Sequence, residues 1–334
     1  MITISVCMIV KNEELLLAQC LDSLQNIADE IIIVDTGSTD RTKEIASRYT
    51  DKIFDFPWIH DYSAARNFAA EQASMEYIYM ADADERLDDF NQKQFAALKS
   101  TLLPEIDIVQ MIYCNQLEHN TTYNFDREYR PKLYKRIRTF RWQNPIHETV
   151  ALEPIIFDSD IEIIHQPLNN HAARDFKDYL YNIQQGKILY RTPYIMYAKE
   201  LFIAGTDQDF LQAEEYFYHT LNYDCRSVEE LKAAQCVVAH AARLRQDFDR
   251  LMKCCLRNLA DGQPSAEICY ELGEYYFAKQ DFNEALLWYY NAAFETTSEL
   301  NIQYSSTLPL ERLAQCCTQL GDNEQAEYYK QMIK

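Results

Sequence analysis

The segment YIYMADADERLDD, residues 77 to 89, passes abruptly from apolar to acidic side chains. Its carboxylates stand at Asp82, Asp84, Glu85, Asp88 and Asp89. Two carboxylates at positions i and i+2 can converge on one hard cation, so the first pair is a candidate metal site. The alternative is that a buried strand ends here and solvated charges follow. We expect that simpler description for Asp88 and Asp89, at the start of a helix.

The chain is acidic and rich in apolar side chains. Its 334 residues include 32 Lys and Arg against 52 Asp and Glu, a formal net charge of −20, and 48% are hydrophobic. The length is that of two domains or one large one. Nucleic acid is not expected as a general partner, because phosphate binding depends on Lys and Arg. An anionic small molecule can still bind where a cation, an arginine or a helix N-terminus receives it.

The ten cysteines form neither a disulfide nor a zinc pattern. None makes C-x-x-C, and the adjacent pairs Cys254-Cys255 and Cys316-Cys317 lie in helical surroundings. They are typical of small apolar residues in a reducing compartment. The sequence shows no targeting signal before its first apolar run and no transmembrane stretch of about 20 apolar residues. We therefore expect a soluble cytoplasmic protein.

The first half of the chain alternates strand-like and helix-like segments. The apolar runs ITISVCMIV, EIIIVD and EYIYMAD have the length of strands buried on both faces. Segments with helical spacing separate them, which predicts an α/β fold with a parallel sheet. Such sheets bind ligands beyond the carboxyl ends of their strands. Lys11, Asp35 and Asp82 all fall at those ends, so a ligand site is predicted there.

Beyond about Pro167 the strand signals stop and helices rich in Tyr, Ala and Leu follow. One segment has the spacing of a tetratricopeptide helix pair, at Leu272, Gly273, Tyr276, Phe282, Ala285, Tyr289 and Ala292. Weaker copies surround Phe210 and Phe248 and occur near the C-terminus, giving four degenerate units. Stacked helix pairs form a solenoid with a concave face, the alternative being an ordinary bundle. We place the domain boundary between residues 1–190 and 191–334.

Four segments of the first half occur in a characteristic order: SVCMIVKNEE, EIIIVDTGSTDRT, SAARNFAAEQA and YIYMADADERL. Together they resemble the family 2 glycosyltransferases of the GT-A fold, over roughly residues 2 to 170. The similarity is closest to a bacterial branch that joins this domain to tetratricopeptide-like helices and includes the bacteriocin S-glycosyltransferases. The resemblance implies a Rossmann-like mixed sheet that binds a nucleotide-diphospho-sugar. It also implies an inverting, metal-dependent transfer from a UDP-sugar.

The resemblance gives roles to the acidic segment. Asp82-Ala83-Asp84 matches the D-x-D motif of the family. By resemblance Asp84 binds Mn²⁺ or Mg²⁺, which neutralises the charge of the diphosphate leaving group, and Asp82 reaches the ribose or the water shell of the metal. Glu85 orients these ligand residues without contacting the metal itself. His165, after another strand, fits the histidine that completes the metal shell, or is an ordinary strand-end histidine.

The same resemblance implies a nucleotide site at the neighbouring strand ends. Asp35 matches the position that recognises the base, where a carboxylate accepts the imide N–H of uracil. Its alternative role is to start the turn at Thr-Gly-Ser. Val10, Lys11 and Glu13 lie in the loop that cradles the base in this family. Arg66 is the candidate cation for the nucleotide, or else a surface ion-pair residue.

An inverting transfer also needs a base for the acceptor nucleophile. The family places it in a short motif after an acceptor-side strand, and here RWQNPIHETV offers His147 and Glu148. Glu148 is the preferred base, because a carboxylate also stabilises developing positive charge on the sugar. Many members have Glu-Asp at this point, so the choice between Glu148 and His147 stays open.

The acceptor is less well defined than the donor. Helical repeats commonly bind a peptide or protein in their groove, so a polypeptide acceptor is expected. The alternatives are a lipopolysaccharide-core or surface-glycan acceptor, or a catalytically degenerate domain that serves as a protein-binding scaffold. A homodimer through the repeats is also compatible with the sequence, and the sugar is left undefined.

Overall fold

The computed structural model describes residues 1–114, 127–138, 140–146, 149–150, 154–167, 172–223, 225–260 and 262–333. The chain divides into two compact units, Met1–His171 and Ala172–Lys334. The first unit contains the sheet and the second is helical. Each is described by itself.

An eight-stranded mixed sheet forms the frame of the first unit, in the order β3-β2-β1-β4-β7-β6-β10-β5. β1 pairs in parallel with both β2 and β4, whereas β7 runs antiparallel between β4 and β6. The strands are β1 (Ile4–Val10), β2 (Glu30–Asp35), β3 (Ile53–Asp55), β4 (Tyr77–Ala81), β5 (Glu85–Arg86), β6 (Ile108–Cys114), β7 (Glu128–Lys135), β8 (Trp142–Gln143), β9 (Thr149–Val150) and β10 (Ile156–His165). β8 and β9 form a separate two-stranded ribbon. The predicted strands and the mixed sheet are confirmed.

Helices cover both faces of this sheet. They are α1 (Leu17–Leu24), α2 (Thr42–Ala46), α3 (Tyr62–Gln72) and α4 (Asp89–Thr101). The continuous apolar runs of β1 and β2 fit this position, because side chains on both faces are buried. On one face Met8 of β1 shares a core with Leu21 and Phe95, from α1 and α4. On the other face Cys7 shares a core with Ala69 of α3.

Aspartates cap the starts of α3 and α4. Asp61 accepts a hydrogen bond from the backbone N–H of Ala64 and begins α3. Asp88 does the same for Asn91 and begins α4, with Asp89 exposed in the first turn. Carboxylates at these positions accept hydrogen bonds from free N–H groups and interact favourably with the positive end of the helix dipole. The expectation that Asp88 and Asp89 are solvated charges at a helix start is confirmed.

The second unit is built from helices that pack as successive neighbours along the chain. They are α5 (Ala172–Gln184), α6 (Arg191–Ala204), α7 (Asp207–Tyr223), α8 (Val228–Leu244), α9 (Phe248–Ala260), α10 (Ala266–Ala278), α11 (Phe282–Tyr290), α12 (Thr307–Leu320) and α13 (Asn323–Met332). The Asp-Phe positions found in the sequence fall in α7 and at the starts of α9 and α11. The predicted helical region is thus confirmed.

Gly273 shows why the repeat spacing carries structural information. It lies in α10, where a Cβ atom would stand 2.5 Å from the ring of Tyr289 in α11. Tyr289 is fully buried, and its hydroxyl donates to Glu274 at 2.7 Å. A glycine is needed at this crossing because any larger residue would push the two helices apart.

Within the part of the chain that the structure describes, no helix has the length and apolar character of a membrane span.

Candidate functional site

The predicted ligand residues meet where three neighbouring parallel strands end. Val10 ends β1 and pairs in register with Asp35, the last residue of β2. On the other side of β1, Met8 pairs with Ala81, the residue before Asp82. The loops that follow these strands therefore open at one edge of the sheet, as expected for a ligand crevice.

Asp35 is the most informative residue of this edge. Its side chain is 2% exposed, and Oδ2 accepts the backbone N–H groups of Gly37 and Ser38 at 3.1 and 3.0 Å. Oδ1 is buried and has no hydrogen-bond partner among the described residues. A buried oxygen without a partner is costly, so a ligand that donates one hydrogen bond would be bound favourably here.

The loop after β1 is fastened to the loop after β2 by several hydrogen bonds. Asn12, at φ 57°, accepts the N–H of Thr39 at 2.8 Å and donates its own N–H to Ser38 Oγ at 2.9 Å. The N–H of Glu13 donates to Thr42 Oγ1 at 2.7 Å. The predicted loop is therefore rigidly attached beside Asp35. The sequence places Asn12 beside Lys11 at this strand end but does not give it a role, although asparagine adopts the left-handed conformation more readily than most residues.

The other base-loop residues have different environments. Val10 is 2% exposed and its side chain belongs to the core of the sheet. Lys11 is exposed at the start of the loop, and Glu13 is half-buried. The backbone of this segment therefore lies beside Asp35, whereas its side chains differ in environment: that of Val10 is buried, that of Lys11 is exposed and that of Glu13 is half-buried.

Asp82 lies between two cations. Arg66 of α3 donates from Nη2 to Asp82 Oδ1 at 2.9 Å, and its side chain is 13% exposed. Lys132 of β7 stands 3.8 Å from Asp82 Oδ2 and donates to Glu85 Oε1 at 2.7 Å. Glu85 Oε2 in turn accepts the backbone N–H of Asp82 at 3.2 Å. The acidic segment is therefore a network with two positive partners, and not a row of solvated charges.

This network shifts the pKa values of its members in opposite directions. Burial would raise the pKa of Asp82, but Arg66 and Lys132 outweigh it and hold the pKa well below its usual range. For Glu85, burial dominates and the Asp82 carboxylate adds to it, so the pKa is raised despite Lys132. Asp82 is therefore an anion at neutral pH, available to a hydroxyl donor or a hydrated cation.

Asp84 and His165 are brought together by strand pairing. β5 follows the D-x-D motif directly and pairs antiparallel with β10, with Glu85 opposite His165. The Asp84 carbonyl accepts the N–H of Gln166 at 2.9 Å, and His165 Nε2 lies 3.2 Å from Asp84 Oδ2. Residues far apart in sequence thus place a carboxylate and an imidazole side by side, which is a donor set suited to Mn²⁺.

No group of three or more His, Cys, Asp or Glu side chains is arranged to hold a metal ion in the described part of the chain. The donor set that the structure does bring together is therefore the pair Asp84 and His165. Behind His165 the Tyr113 ring lies 4.9 Å away, and the Arg130 guanidinium covers that ring at 4.0 Å. The imidazole of His165 therefore packs against an aromatic ring in addition to its contact with Asp84.

Three members of the site were not predicted as such: Lys132, Tyr113 and Arg130. Lys132 and Arg130 lie in the segment REYRPKLYK, where charged and large residues alternate along a strand. That alternation indicates that both cations share one face of the sheet. It does not indicate which carboxylates they meet, since this depends on pairing between distant strands.

The predicted bases His147 and Glu148 lie outside the described residues. Their neighbours form the ribbon of β8 and β9, which α3 holds at two points. Asn67 donates to the Trp142 carbonyl at 3.0 Å and accepts the Trp142 N–H at 2.9 Å, and the Tyr62 N–H donates to the Pro145 carbonyl at 2.8 Å. One helix therefore contacts the D-x-D motif through Arg66 and the ribbon through Asn67.

A comparison with known proteins agrees with this geometry. Residues 5–152 match the model described as Glycosyl transferase family 2. Over these residues the chain is similar to the family 2 glycosyltransferases. The match begins in β1 and includes the site residues up to Glu148. It ends before β10, so His165 lies beyond the matched segment.

Curated proteins that are similar to part of this chain carry several descriptions. A TPR repeat-containing protein of Synechococcus elongatus is 34% identical over 159 residues, 45% of this chain and 36% of that protein. The lipopolysaccharide core biosynthesis glycosyltransferase LpsC of Rhizobium meliloti is 40% identical over 108 residues, 31% of this chain and 36% of that protein. The SPbeta prophage-derived glycosyltransferase SunS of Bacillus subtilis is 35% identical over 108 residues, 30% and 24% of the two chains. The chain thus spans about a third or less of the length of these relatives.

Among solved structures, glucosyl-3-phosphoglycerate synthase from Mycobacterium tuberculosis, in complex with Mg²⁺ and uridine-diphosphate, is similar with a TM-score of 0.41. The identity is 15%, and the match covers 57% of this chain and 81% of that chain. The assignment of the domain depends on the family match and the curated relatives.

Proposed function

We propose that this protein is an inverting, metal-dependent glycosyltransferase that transfers a sugar from a UDP-sugar to a peptide or protein side chain. The observation that carries the proposal is the unpartnered Oδ1 of Asp35, buried at the sheet edge that also holds Asp82 and Asp84. A uracil imide N–H is the kind of donor that such an oxygen accepts. The adjacent carboxylates and cations then lie where the sugar-diphosphate end of the same ligand would extend.

On the donor side, each described residue has a distinct role in this proposal. Asp35 binds the base through Oδ1, while its other oxygen is fixed by the N–H groups of Gly37 and Ser38. The ionised Asp82 accepts a ribose hydroxyl, and Arg66 both orients this carboxylate and adds positive charge near the nucleotide. Because these groups are held before the ligand arrives, little ordering is needed on binding.

Asp84 and His165 are the residues that would hold Mn²⁺ or Mg²⁺. A divalent cation bound there would neutralise the negative charge that develops on the diphosphate as the glycosidic bond breaks. The support for this part is the donor set itself, a carboxylate oxygen and an imidazole nitrogen 3.2 Å apart at the sheet edge.

Transfer with inversion takes place in a single displacement. The acceptor oxygen or sulfur forms a bond to the anomeric carbon while the bond from that carbon to the UDP oxygen breaks. UDP leaves with the bonding electron pair, and the acceptor proton passes to Glu148, the proposed base. His147 is the alternative base. Comparing Glu148→Gln with His147→Ala in transfer assays at saturating donor would distinguish them, since the true base costs on the order of 10²–10⁴-fold.

The acceptor is proposed from the helical unit. Its stacked helices provide the kind of surface on which repeat proteins bind extended partners, and the relative from Synechococcus elongatus is described as a TPR repeat-containing protein. A polypeptide acceptor is therefore preferred. The second candidate is a lipopolysaccharide-core glycan, which the similarity to LpsC favours. A catalytically degenerate scaffold is the third, and the intact site residues argue against it.

A donor screen tests the proposal directly. UDP-, GDP-, CDP- and dTDP-sugars are incubated with the protein and Mn²⁺, and release of the nucleotide is followed with and without a chelator. We expect release from UDP-sugars alone, abolished by the chelator. Mass spectrometry of peptides, proteins and glycans incubated with the active donor then separates the acceptor classes. Absence of metal-dependent release from every donor would favour the scaffold.

A further inference from the structure

Lys132 is a buried lysine. The register of β7 directs its side chain toward the acidic segment. In the pairing of β6 with β7, Gln110 lies opposite Pro131 and Val109 lies opposite Leu133, so Lys132 is an extra residue in β7. An extra residue of this kind forms a β-bulge, which redirects side chains and is frequent beside active sites. Lys132 is 5% exposed, so its ammonium group depends on the partners that the bulge gives it.

The bulge places two consecutive residues of β7 on one face of the sheet. Leu133 belongs to the core that also contains Tyr79 and Tyr113. Lys132 Nζ lies 5.8 Å from the ring centroids of both tyrosines, and therefore on the same face. In a regular strand these neighbours would point to opposite faces. The irregularity thus lets Lys132 share a face with the core residue Leu133, which leaves a cation in an apolar environment next to the D-x-D motif.

Lys132 is connected to the D-x-D motif through Glu85. Its Nζ donates to Glu85 Oε1 at 2.7 Å, and Glu85, 3% exposed, accepts the Asp82 N–H through its other oxygen at 3.2 Å. Glu85 also belongs to β5, a strand of two residues, and stands opposite His165. A strand of two residues forms few backbone hydrogen bonds. The ion pair between Lys132 and Glu85 therefore helps to hold β5 in register with β10.

We propose that Lys132 is a positioning residue for the donor site. By holding Glu85, it keeps residues 82–85 in the conformation that sets Asp84 beside His165 and presents Asp82 to the ligand. The inference rests on the proposed function, because it names a further residue of the same site. Lys132 itself does not touch the donor in this account, and its action reaches the ligand residues only through Glu85 and the pairing of β5 with β10.

Charge gives the proposal its second basis. Asp82, Asp84 and Glu85 place three carboxylates within four residues, and among the described residues Arg66 contacts Asp82 while Lys132 contacts both Asp82 and Glu85. Without Lys132, Glu85 would lose this cation and Asp82 one of the two, so the mutual repulsion of the carboxylates would increase and the segment would be expected to open. Lysine suits the position because one ammonium group can serve two acceptors from a flexible stem.

The test compares Lys132→Met and the double variant Lys132→Met/Glu85→Gln with wild type. The single variant leaves Glu85 buried without its cation and is therefore at risk of misfolding, whereas the double variant removes both charges and should fold. Lys135→Met is the control, because Lys135 lies on the same strand but bonds to the Pro104 carbonyl. Two readouts are used: hydrogen exchange of the Asp82 and Gln166 amides, and calorimetric affinity for UDP with Mn²⁺.

We expect both amides to exchange at least tenfold faster in the double variant, with a loss of UDP affinity on the order of 10- to 100-fold, as for a lost charge-assisted hydrogen bond. The control should remain within twofold on both readouts. A folded double variant with wild-type exchange and wild-type affinity would overturn the proposal. Faster exchange in a protein whose wild type fails to bind UDP would instead support the positioning role and refute the proposed function.

Discussion

The two compact units both bury carboxylates, but they satisfy them to different degrees. In the helical unit Glu271 and Glu267 are completely buried, and hydrogen bonds from the chain hold both oxygens of each carboxylate. Glu271 contacts His240 at 2.7 Å and also Arg243. Glu267 accepts the backbone N–H groups of Leu300 and Asn301 on Oε1, at 2.8 and 3.0 Å, and that of Glu299 on Oε2, at 3.1 Å. Both oxygens of each group are therefore occupied.

In the sheet unit the contrast is visible along a single strand. Glu30 begins β2 and is bonded to Lys52, to Ser5 and to both the backbone and the hydroxyl of Ser74. Asp35 ends the same strand with one oxygen bonded and the other buried and unpartnered. The carboxylate at the start of β2 is therefore satisfied within the chain, whereas the carboxylate at its carboxyl end has one oxygen without a partner among the described residues.

The comparison shows that burial of a carboxylate does not by itself mark a ligand site. A saturated carboxylate stabilises the fold, since its desolvation is offset by bonds within the chain. An unsaturated one at the carboxyl edge of a parallel sheet is instead prepared for a partner from outside. The first kind should affect stability when it is changed, and the second should affect binding and catalysis.

The largest effect is expected from Asp84→Asn, which keeps the size of the side chain and removes its charge. Transfer should fall by at least roughly 10³-fold, because charge stabilisation by a bound cation contributes several kcal/mol. Thermal unfolding should remain close to wild type. Asp89→Asn is the matched control, since Asp89 is an exposed aspartate on the following helix. An unimpaired Asp84→Asn enzyme would remove Asp84 from the site.

Glu271→Gln should have the reverse profile. The pKa of Glu271 is about 2, because Arg243 and His240 outweigh the burial that would raise it. The variant leaves a buried arginine without its counter-charge, which costs about 3 kcal/mol or more. Denaturant unfolding of the full chain should show this loss in the helical transition, while UDP-sugar hydrolysis by the folded enzyme stays unchanged. Lost hydrolysis with intact stability would refute the distinction between the two kinds of carboxylate.

Glu30→Gln should change the pH dependence of stability. Burial would raise the pKa of Glu30, but bonds from Lys52, Ser5 and Ser74 outweigh it and lower the pKa from 4.5 to about 2. A lowered pKa stabilises the fold by roughly 3 kcal/mol above pH 4.5, and this contribution is lost as the pH falls towards 2. The gap in unfolding free energy between wild type and Glu30→Gln should therefore narrow between pH 7 and pH 3. A gap that does not depend on pH would contradict the assignment.

Asn67→Leu is expected to have the smallest effect. It removes two hydrogen bonds to Trp142 and loosens the ribbon that continues to the proposed base, so transfer should fall by about tenfold while affinity for UDP is kept. Glu71→Ala is the control, because its pair with Arg141 joins the same helix to the same region but is exposed. Equal effects of the two variants would show that the contact has no special role.

Much of the sheet unit could be predicted from the sequence. The apolar runs of β1, β2 and β4 identify buried strands, and the residues that end them mark the ligand edge. Alternation along β7 indicates the face of Lys132, but it does not predict that Leu133 shares this face, because a bulge is a property of the register between two strands. The pairing of β5 with β10 could not be predicted either, because a strand of two residues is too short to show a periodic pattern of apolar side chains. Local patterns thus indicate where the site lies, and long-range register decides how its residues meet.

The central claim is that the unpartnered oxygen of Asp35 at the sheet edge binds the base of a uridine nucleotide, and calorimetry with Asp35→Asn tests it most directly. In this variant the side-chain carbonyl must still accept from Gly37 and Ser38, so its NH₂ group faces the position of the base. That donor opposes the imide N–H of uracil but complements the N3 acceptor of cytosine. We expect affinity for UDP with Mn²⁺ to fall about 10- to 100-fold, with a relative gain for CDP. Unchanged affinity and preference for UDP in Asp35→Asn would contradict the account.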